Sequence, residues 1–94
     1  MANYERLTAA PTAEVLRVAE AFLTSRIPIR KVAGDSHSLV LEGGDGRVSI
    51  HAHRHGLDTS VTVNTDQLRT SRLDTEVQHL LNQLPYQPGD VVAR

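Results

Sequence analysis

The chain has 94 residues, ten of them basic and eleven acidic, and a formal net charge of −1. This length suits one domain with a single modest core, and one Phe, two Tyr and no Trp make that core mainly aliphatic. The well-mixed charge gives no electrostatic footprint for nucleic acid or an anionic membrane surface. Because cysteine is absent, disulfides, thiolate metal sites and a cysteine nucleophile are excluded, and a reducing compartment fits.

The amino-terminal residues indicate a cytoplasmic protein with no membrane partner. No stretch of the chain approaches the ~20 apolar residues that cross a bilayer. The opening, MANYERLTAAPTAE, has an early acid and no apolar run of signal-peptide length. Residues 1–10 show no clear hydrophobic period, so we expect them to form a flexible lead to the domain.

An amphipathic helix is predicted from Pro11, whose fixed φ is tolerated at the first helical position. Apolar residues then recur at spacings of three and four, as Val15, Leu16, Ala19, Phe22 and Leu23. The helix must end before Pro28, because proline cannot continue it. Residues 29–33 are ambiguous between an extended lead-in and a short extra strand.

Residues 47–64, RVSIHAHRHGLDTSVTVN, predict two β-strands joined by a tight turn at His55 and Gly56. This turn places the apolar residues on one face, in the pairs Ala52–Thr59, Ile50–Val61 and Val48–Val63. It places the polar residues on the other face, in the pairs His53–Asp58, His51–Ser60, Ser49–Thr62 and Arg47–Asn64. The agreement of register and polarity supports the hairpin, since a slip of one residue would reverse the faces.

A strand before this hairpin is predicted from Ser38 to Glu42, followed by a loop at residues 43–46, GGDG. The loop length predicts the pairs Glu42–Arg47, Leu41–Val48, Leu39–Ile50 and Ser38–His51. The three strands then form an antiparallel meander. Its first strand, near residues 36–42, and its third, near residues 57–64, are expected to be edges with unpaired backbone groups.

A second amphipathic helix follows Asp66, where the hydrophobic period changes from two to about 3.6. Ser71 and Asp74 resemble a capping box, and an apolar stripe runs to a stop at Pro85, as Leu73, Val77, Leu80, Leu81 and Leu84. The order predicts an α+β two-layer sandwich, α-β-β-β-α, with both helices on one face of a three-stranded antiparallel meander. Residues 11–85 would form this single domain and residues 86–94 a C-terminal tail.

The order of helix, three strands and helix resembles that of the double-stranded-RNA-binding domain across most of the chain. In that family a lysine-rich motif at the start of the second helix contacts phosphates. The corresponding stretch here, TSRLDTE at residues 70–76, carries two acids and no lysine, so nucleic-acid binding is not expected. The order is also similar to that of small bacterial chaperone-like and regulator-like domains that bind protein segments, a similarity of fold alone.

The HAHRH motif at residues 51–55 is the sharpest local signal. Strand alternation puts His51 and His53 on one exposed face, roughly 6.5 to 7 Å apart at ~3.3 Å per residue. With His55 or Asp58 as a third ligand, such a set suits a divalent metal such as zinc. The simpler interpretation is solvated histidines on an open sheet face, with His53 and Asp58 as a cross-strand pair. Because a fourth ligand is missing, we expect no resident metal or cofactor.

The same face carries the residue types of a hydrolytic triad, as Ser38, Ser60, His51, His53 and Asp58. A triad needs a serine held at a strained turn, an oxyanion hole and a pocket that excludes water. A flat sheet face supplies none of these by itself. No enzymatic activity is therefore expected.

We predict a small non-enzymatic domain that binds a protein partner or a second copy, as a homodimer, through the exposed sheet face or an edge strand. The predicted contact surface consists of Ser38, Arg47, His51, His53, Asp58, Ser60 and Thr62. The alternative prediction is that the His-rich face binds a metal ion, or an anion when the imidazoles are protonated.

Overall fold

The computed structural model describes residues 2–85, so the predicted tail at residues 86–94 lies outside the described residues. The elements are β1 (Ala2–Thr8), α1 (Thr12–Arg26), β2 (Ile29–Gly34), β3 (Ser38–Gly43), β4 (Gly46–His55), β5 (Asp58–Thr65) and α2 (Arg72–Gln83). All strand pairs are antiparallel, and the sheet order is β1-β5-β4-β3-β2. Neither helix is long and apolar enough to span a membrane.

The prediction of a three-stranded meander between two helices is wrong, because the sheet has five strands. The ambiguous residues 29–33 belong to β2, and Ala2–Thr8, assigned above to a lead, forms β1. The inward positions of β1 are Ala2, Tyr4, Arg6 and Thr8. Two of these four are strongly polar in sequence, which hides the period of two that marks a half-buried strand. The observed order, β-α-β-β-β-β-α, also departs from that of the double-stranded-RNA-binding domain.

The two extra strands change the edges of the sheet. The first and third strands of the predicted meander, β3 and β5, were expected to be edges. In the structure β3 lies between β2 and β4, and β5 lies between β1 and β4. Among residues 2–85 the edge strands are β1 and β2.

Both helices lie where their local signals predict. The first follows Pro11 and ends at Arg26, before Pro28. At the second, the hydroxyl of Ser71 accepts a hydrogen bond from the backbone N–H of Asp74 at 3.0 Å, which confirms the cap. The apolar sides of both helices are buried with one face of the sheet, at Val15, Ala19, Leu23, Leu73, Val77, Leu80, Leu41, Val48, Ile50, Val61 and Val63.

The predicted register of β3 with β4 is confirmed, including the pairs Leu39–Ile50 and Ser38–His51. The predicted register of β4 with β5 is wrong by two residues, since His55 pairs with Asp58 and the turn residues are Gly56 and Leu57. Gly56 has φ +58°, a value that glycine adopts without steric cost. A shift of two residues keeps every side chain on its predicted face but changes its cross-strand partner.

A buried polar network joins β1 to β5 and to the start of α2. The Asp74 carboxylate has no exposed surface. It accepts hydrogen bonds from the hydroxyls of Tyr4 at 2.8 Å, Thr65 at 2.8 Å and Ser71 at 2.8 Å. Three separate segments therefore donate hydrogen bonds to one carboxylate. These hydrogen bonds compensate for the cost of burying its charge.

Because of Tyr4, the stability that this network contributes decreases at alkaline pH. Burial, the hydrogen bond to Asp74 and the negative charge of that carboxylate raise the pKa of Tyr4 above its usual 10.0. The unfolded chain then loses the proton first, so the contribution to stability is complete below about pH 10 and is lost as the pH rises through the folded pKa. We expect the free energy of unfolding in urea to fall less steeply between about pH 9 and 11 in Tyr4→Phe than in the wild type. Equal alkaline slopes in the two proteins would contradict this prediction.

Candidate functional site

One face of the sheet is left uncovered by the described elements, and we call it the open face. It carries Asn3, Glu5, Leu7, Arg30, Ser38, Val40, Glu42, Arg47, Ser49, His51, His53, His55, Asp58, Ser60, Thr62 and Asn64. All seven residues of the predicted contact surface are in this set. Strand alternation explains the placement, because the buried residues occupy the intervening positions.

The register arranges these side chains in rows across the strands. One row runs from Glu5 through Thr62 and His51 to Ser38. The neighbouring rows are Leu7–Ser60–His53 and Asn3–Asn64–Ser49–Val40. Directly opposite residues have Cβ atoms roughly 4.5 to 5.5 Å apart. The centre of the open face is therefore the stretch of β4 that carries Ser49, His51 and His53, with Ser60 and Thr62 beside it on β5.

Sequence reasoning missed the contribution of β1 to this surface. Leu7 is 47% exposed and lies beside Ser60, while Glu5 lies beside Thr62. The residues of ANYERLT alternate between buried and exposed positions. The strand could have been predicted from the sequence only by accepting the arginine and the threonine as inward residues.

Histidines gather at one end of the open face. His51, His53 and His55 follow one another along β4, and the rings of His53 and His55 meet edge to face with centroids 4.3 Å apart. The backbone carbonyl of His37 accepts a hydrogen bond from the N–H of Ala52 at 2.8 Å, so His37 lies opposite the buried Ala52, between His51 and His53 along β4. This residue was not among the predicted site residues.

The geometry gives the metal alternative little support. Asp58 lies opposite His55 rather than His53, so the predicted cross-strand pair is not formed. Within residues 2–85 no three His, Asp or Glu side chains are grouped so that they could hold a metal ion. The Oδ1 atom of Asp58 is buried and accepts no hydrogen bond within the described part of the chain.

The residues of the suggested triad are not joined into one. The hydroxyl of Ser38 donates to Asp35 at 3.1 Å, in the turn between β2 and β3, instead of to a histidine. Ser60 lies opposite His53, and Asp58 is two residues before it on the same strand. Asp58 is therefore not placed to hold the imidazole of His53 while that imidazole accepts the proton of Ser60, as a triad requires.

Two carboxylates hold the loops at the corners of the sheet. Asp35 accepts hydrogen bonds from the backbone N–H of His37 at 2.8 Å and from Ser38, and these lower its pKa. Asp66 accepts from the backbone N–H of Arg47 at 2.9 Å and from Gln67, which lowers its pKa likewise. Both carboxylates stay ionised near neutral pH and act as turn supports.

A scan against models of protein families and searches of curated proteins and of solved structures found nothing that matches this chain.

Proposed function

We propose that this protein is a small non-enzymatic interaction domain that self-associates through its open face. One observation carries the proposal. Both helices are packed on the same side of a five-stranded sheet, so a whole sheet face has no cover from the described residues. The absence of cysteine from the sequence supports a role for the protein in a reducing compartment, which we take to be the cytoplasm.

The side chains of the open face suit contact with another protein surface. Ser60 and Thr62, on β5 beside the central strand, are short and half-buried, so a second surface can approach closely. The histidines offer both hydrogen-bond donors and acceptors, and Leu7 supplies exposed apolar area. A mixed surface of this kind is typical of interfaces that are not permanently assembled.

A second copy of the chain is the partner that we propose. Five strands ~4.8 Å apart and about 20 Å long present about 500 Å² per copy. Two copies would bury about 1,000 Å² in total, near the lower limit for a specific interface. We therefore expect a weak dimer, with a dissociation constant of about 10–100 μM.

The placement of the polar residues supports a role in binding over one in catalysis. Ser38 is held by Asp35, and no hydrogen bond joins Ser38 or Ser60 to a histidine within residues 2–85. Within residues 2–85 the open face carries a groove of about 160 Å³ beside Arg47, Ser49 and Asn64, but none of the suggested triad residues lines it, so it is not the water-excluding pocket that acyl transfer requires.

Sedimentation equilibrium of the pure, tag-free chain tests this proposal. The substitution Thr62→Arg places a long charged side chain beside His51 of the central strand β4, and we expect it to weaken self-association at least about tenfold. Thr24→Arg is the matched control, since Thr24 is exposed on α1 away from the sheet face. A wild-type chain that stays monomeric at about 1 mM, or equal weakening by both substitutions, would contradict the proposal.

The same experiment separates self-association from the metal alternative. A dimer through the open face should be indifferent to one equivalent of zinc and to a chelator. If the chain instead associates only with zinc, and only while His51 and His53 are intact, the histidines are ligands and the metal alternative replaces our proposal.

A further inference from the structure

The two edges of the sheet differ in how their outward backbone groups are used. At β1, Arg69 Nη2 donates to the carbonyl of Asn3 at 2.7 Å, and Arg6 Nη1 donates to that of Leu7 at 2.6 Å. At β2, residues 30–34 are exposed. No hydrogen bond outside the β2–β3 ladder joins residues 30–33 to another part of residues 2–85. The edge at β2 is therefore the one at which a further strand can pair.

A groove adjoins this edge on each side of the sheet. The groove on the helix side has a volume of about 340 Å³ and is lined by Leu16, Glu20, Lys31 and Leu39 among others. The other has about 300 Å³ and is lined by Arg30 and Glu42 of the open face, together with Pro28, Ile29 and Gly43. Successive side chains of a strand point to opposite faces. A strand added beside β2 would thus direct neighbouring side chains into different grooves.

The charges of β2 indicate which strand would fit. Neither Arg30 nor Lys31 has a carboxylate within ion-pair distance among the described residues. Glu42, which lies opposite Arg30, is paired with Arg47 at 3.4 Å. Arg30 and Lys31 are consecutive and line different grooves, so each groove has one cation without an ion-pair partner among the described residues, although Glu20 and Asp35 also line the helix-side groove. Acidic side chains on an incoming strand would complement both charges.

The same features disfavour pairing of β2 with a second copy of itself. A two-fold pairing of this short strand would bring Arg30 and Lys31 of both copies close together, and like charges across strands are destabilising. Exclusion of the wrong partner by charge is a common source of specificity.

We propose that β2 binds an extended acidic peptide segment of another protein as a sixth strand of the sheet. Main-chain hydrogen bonds along residues 30–33 would hold the segment, and its carboxylates would meet Arg30 and Lys31. The side chains that flank these carboxylates would occupy the two grooves. This site lies at the β2 edge and shares only Arg30 and Glu42 with the open face, and it does not depend on self-association.

A charge-reversal experiment tests the proposal with the full chain. The probe is a fluorescein-labelled eight-residue peptide of alternating Val and Thr with Glu at two adjacent positions, and its partner carries Lys at those positions. We expect the wild type to prefer the Glu peptide, and the double variant Arg30→Glu, Lys31→Glu to prefer the Lys peptide, by about tenfold in each case at low salt. Because the double variant is four charges more acidic than the wild type, an unfolded chain would also attract the Lys peptide, so circular dichroism must show that the double variant keeps the wild-type fold.

Amide hydrogen exchange shows where the peptide binds. On addition of the Glu peptide, exchange should slow at residues 30–33, and Thr62→Arg should leave the affinity unchanged. If self-association fails, the peptide-binding test is therefore still valid. If peptide binding fails, the test of self-association is still valid. The proposal is overturned if the Glu peptide does not bind at about 1 mM, if the double variant keeps the wild-type preference, or if the protected amides lie elsewhere.

Discussion

Replacing Asp74 with Ala is expected to lower the free energy of unfolding by about 3 kcal/mol. The change removes the acceptor shared by the hydroxyls of Tyr4, Thr65 and Ser71. Tyr4 and Thr65 are buried, so water cannot easily replace the lost partner, and each unsatisfied hydroxyl costs about 1–3 kcal/mol. A domain of this size has a total stability of about 5–10 kcal/mol, so the loss is a large part of it.

Urea unfolding followed by circular dichroism measures this loss. Asp74→Asn should cost less than Asp74→Ala, since the amide keeps one acceptor oxygen. Asn82→Ala is the control, because Asn82 is exposed on the same helix, and it should change stability by less than about 0.5 kcal/mol. A loss at Asp74 as small as that at Asn82 would show that the network contributes nothing to stability.

Replacing Arg6 with Ala should cost about 2–3 kcal/mol. Arg6 is only 6% exposed, and its guanidinium crosses from β1 to the end of α2. Nε donates to the carbonyl of Leu81 at 3.2 Å and Nη2 to that of Leu84 at 3.0 Å. These carbonyls belong to the last turn of the helix and its cap, where intrahelical donors run out. Loss of Arg6 leaves them buried without that donor.

The measurement for Arg6 is again urea unfolding, with Arg17→Ala as the control. Arg17 is exposed and makes only a surface ion pair with Glu14 at 3.3 Å, which contributes little. The loss of stability in Arg6→Lys should lie between the losses in Arg6→Ala and Arg17→Ala, because an ammonium group cannot bond both carbonyls in the fixed geometry of a guanidinium. Equal effects of Arg6→Ala and Arg17→Ala would contradict the assignment of Arg6 to the end of α2.

The two proposed surfaces are compatible in one assembly. The open face points along the normal of the sheet, whereas the edge at β2 points within its plane. A dimer that is formed through the open face and leaves Arg30 and Glu42 uncovered would keep both β2 edges accessible. Two linked edges would then bind a partner with two acidic segments more tightly than either edge alone, by the effective-concentration gain of a bivalent complex.

The helices, the register of β3 with β4 and the sorting of side chains between faces were determined by the sequence alone. Each depends on a local signal: Pro11 and Pro28 bound α1, Ser71 caps α2, and the loop at residues 43–46 sets one register. Face assignment survived even the error at the β4–β5 turn, because a shift of two residues preserves the side to which each side chain points. Signals of this kind act over a few residues and need no knowledge of distant contacts.

Only the tertiary structure decided the number of strands, the edges and the completed open face. Arg6 and Thr8 read as surface residues in the sequence, yet they are buried because residues 81–85, more than 70 residues away, supply carbonyl acceptors for both. Asp74 is buried for the same reason, since its partner hydroxyls come from β1 and β5. A polar residue becomes an inward residue only when a remote segment satisfies its hydrogen bonds. No local sequence pattern indicates such a remote partner. The strand β1 therefore could not be predicted from the sequence alone.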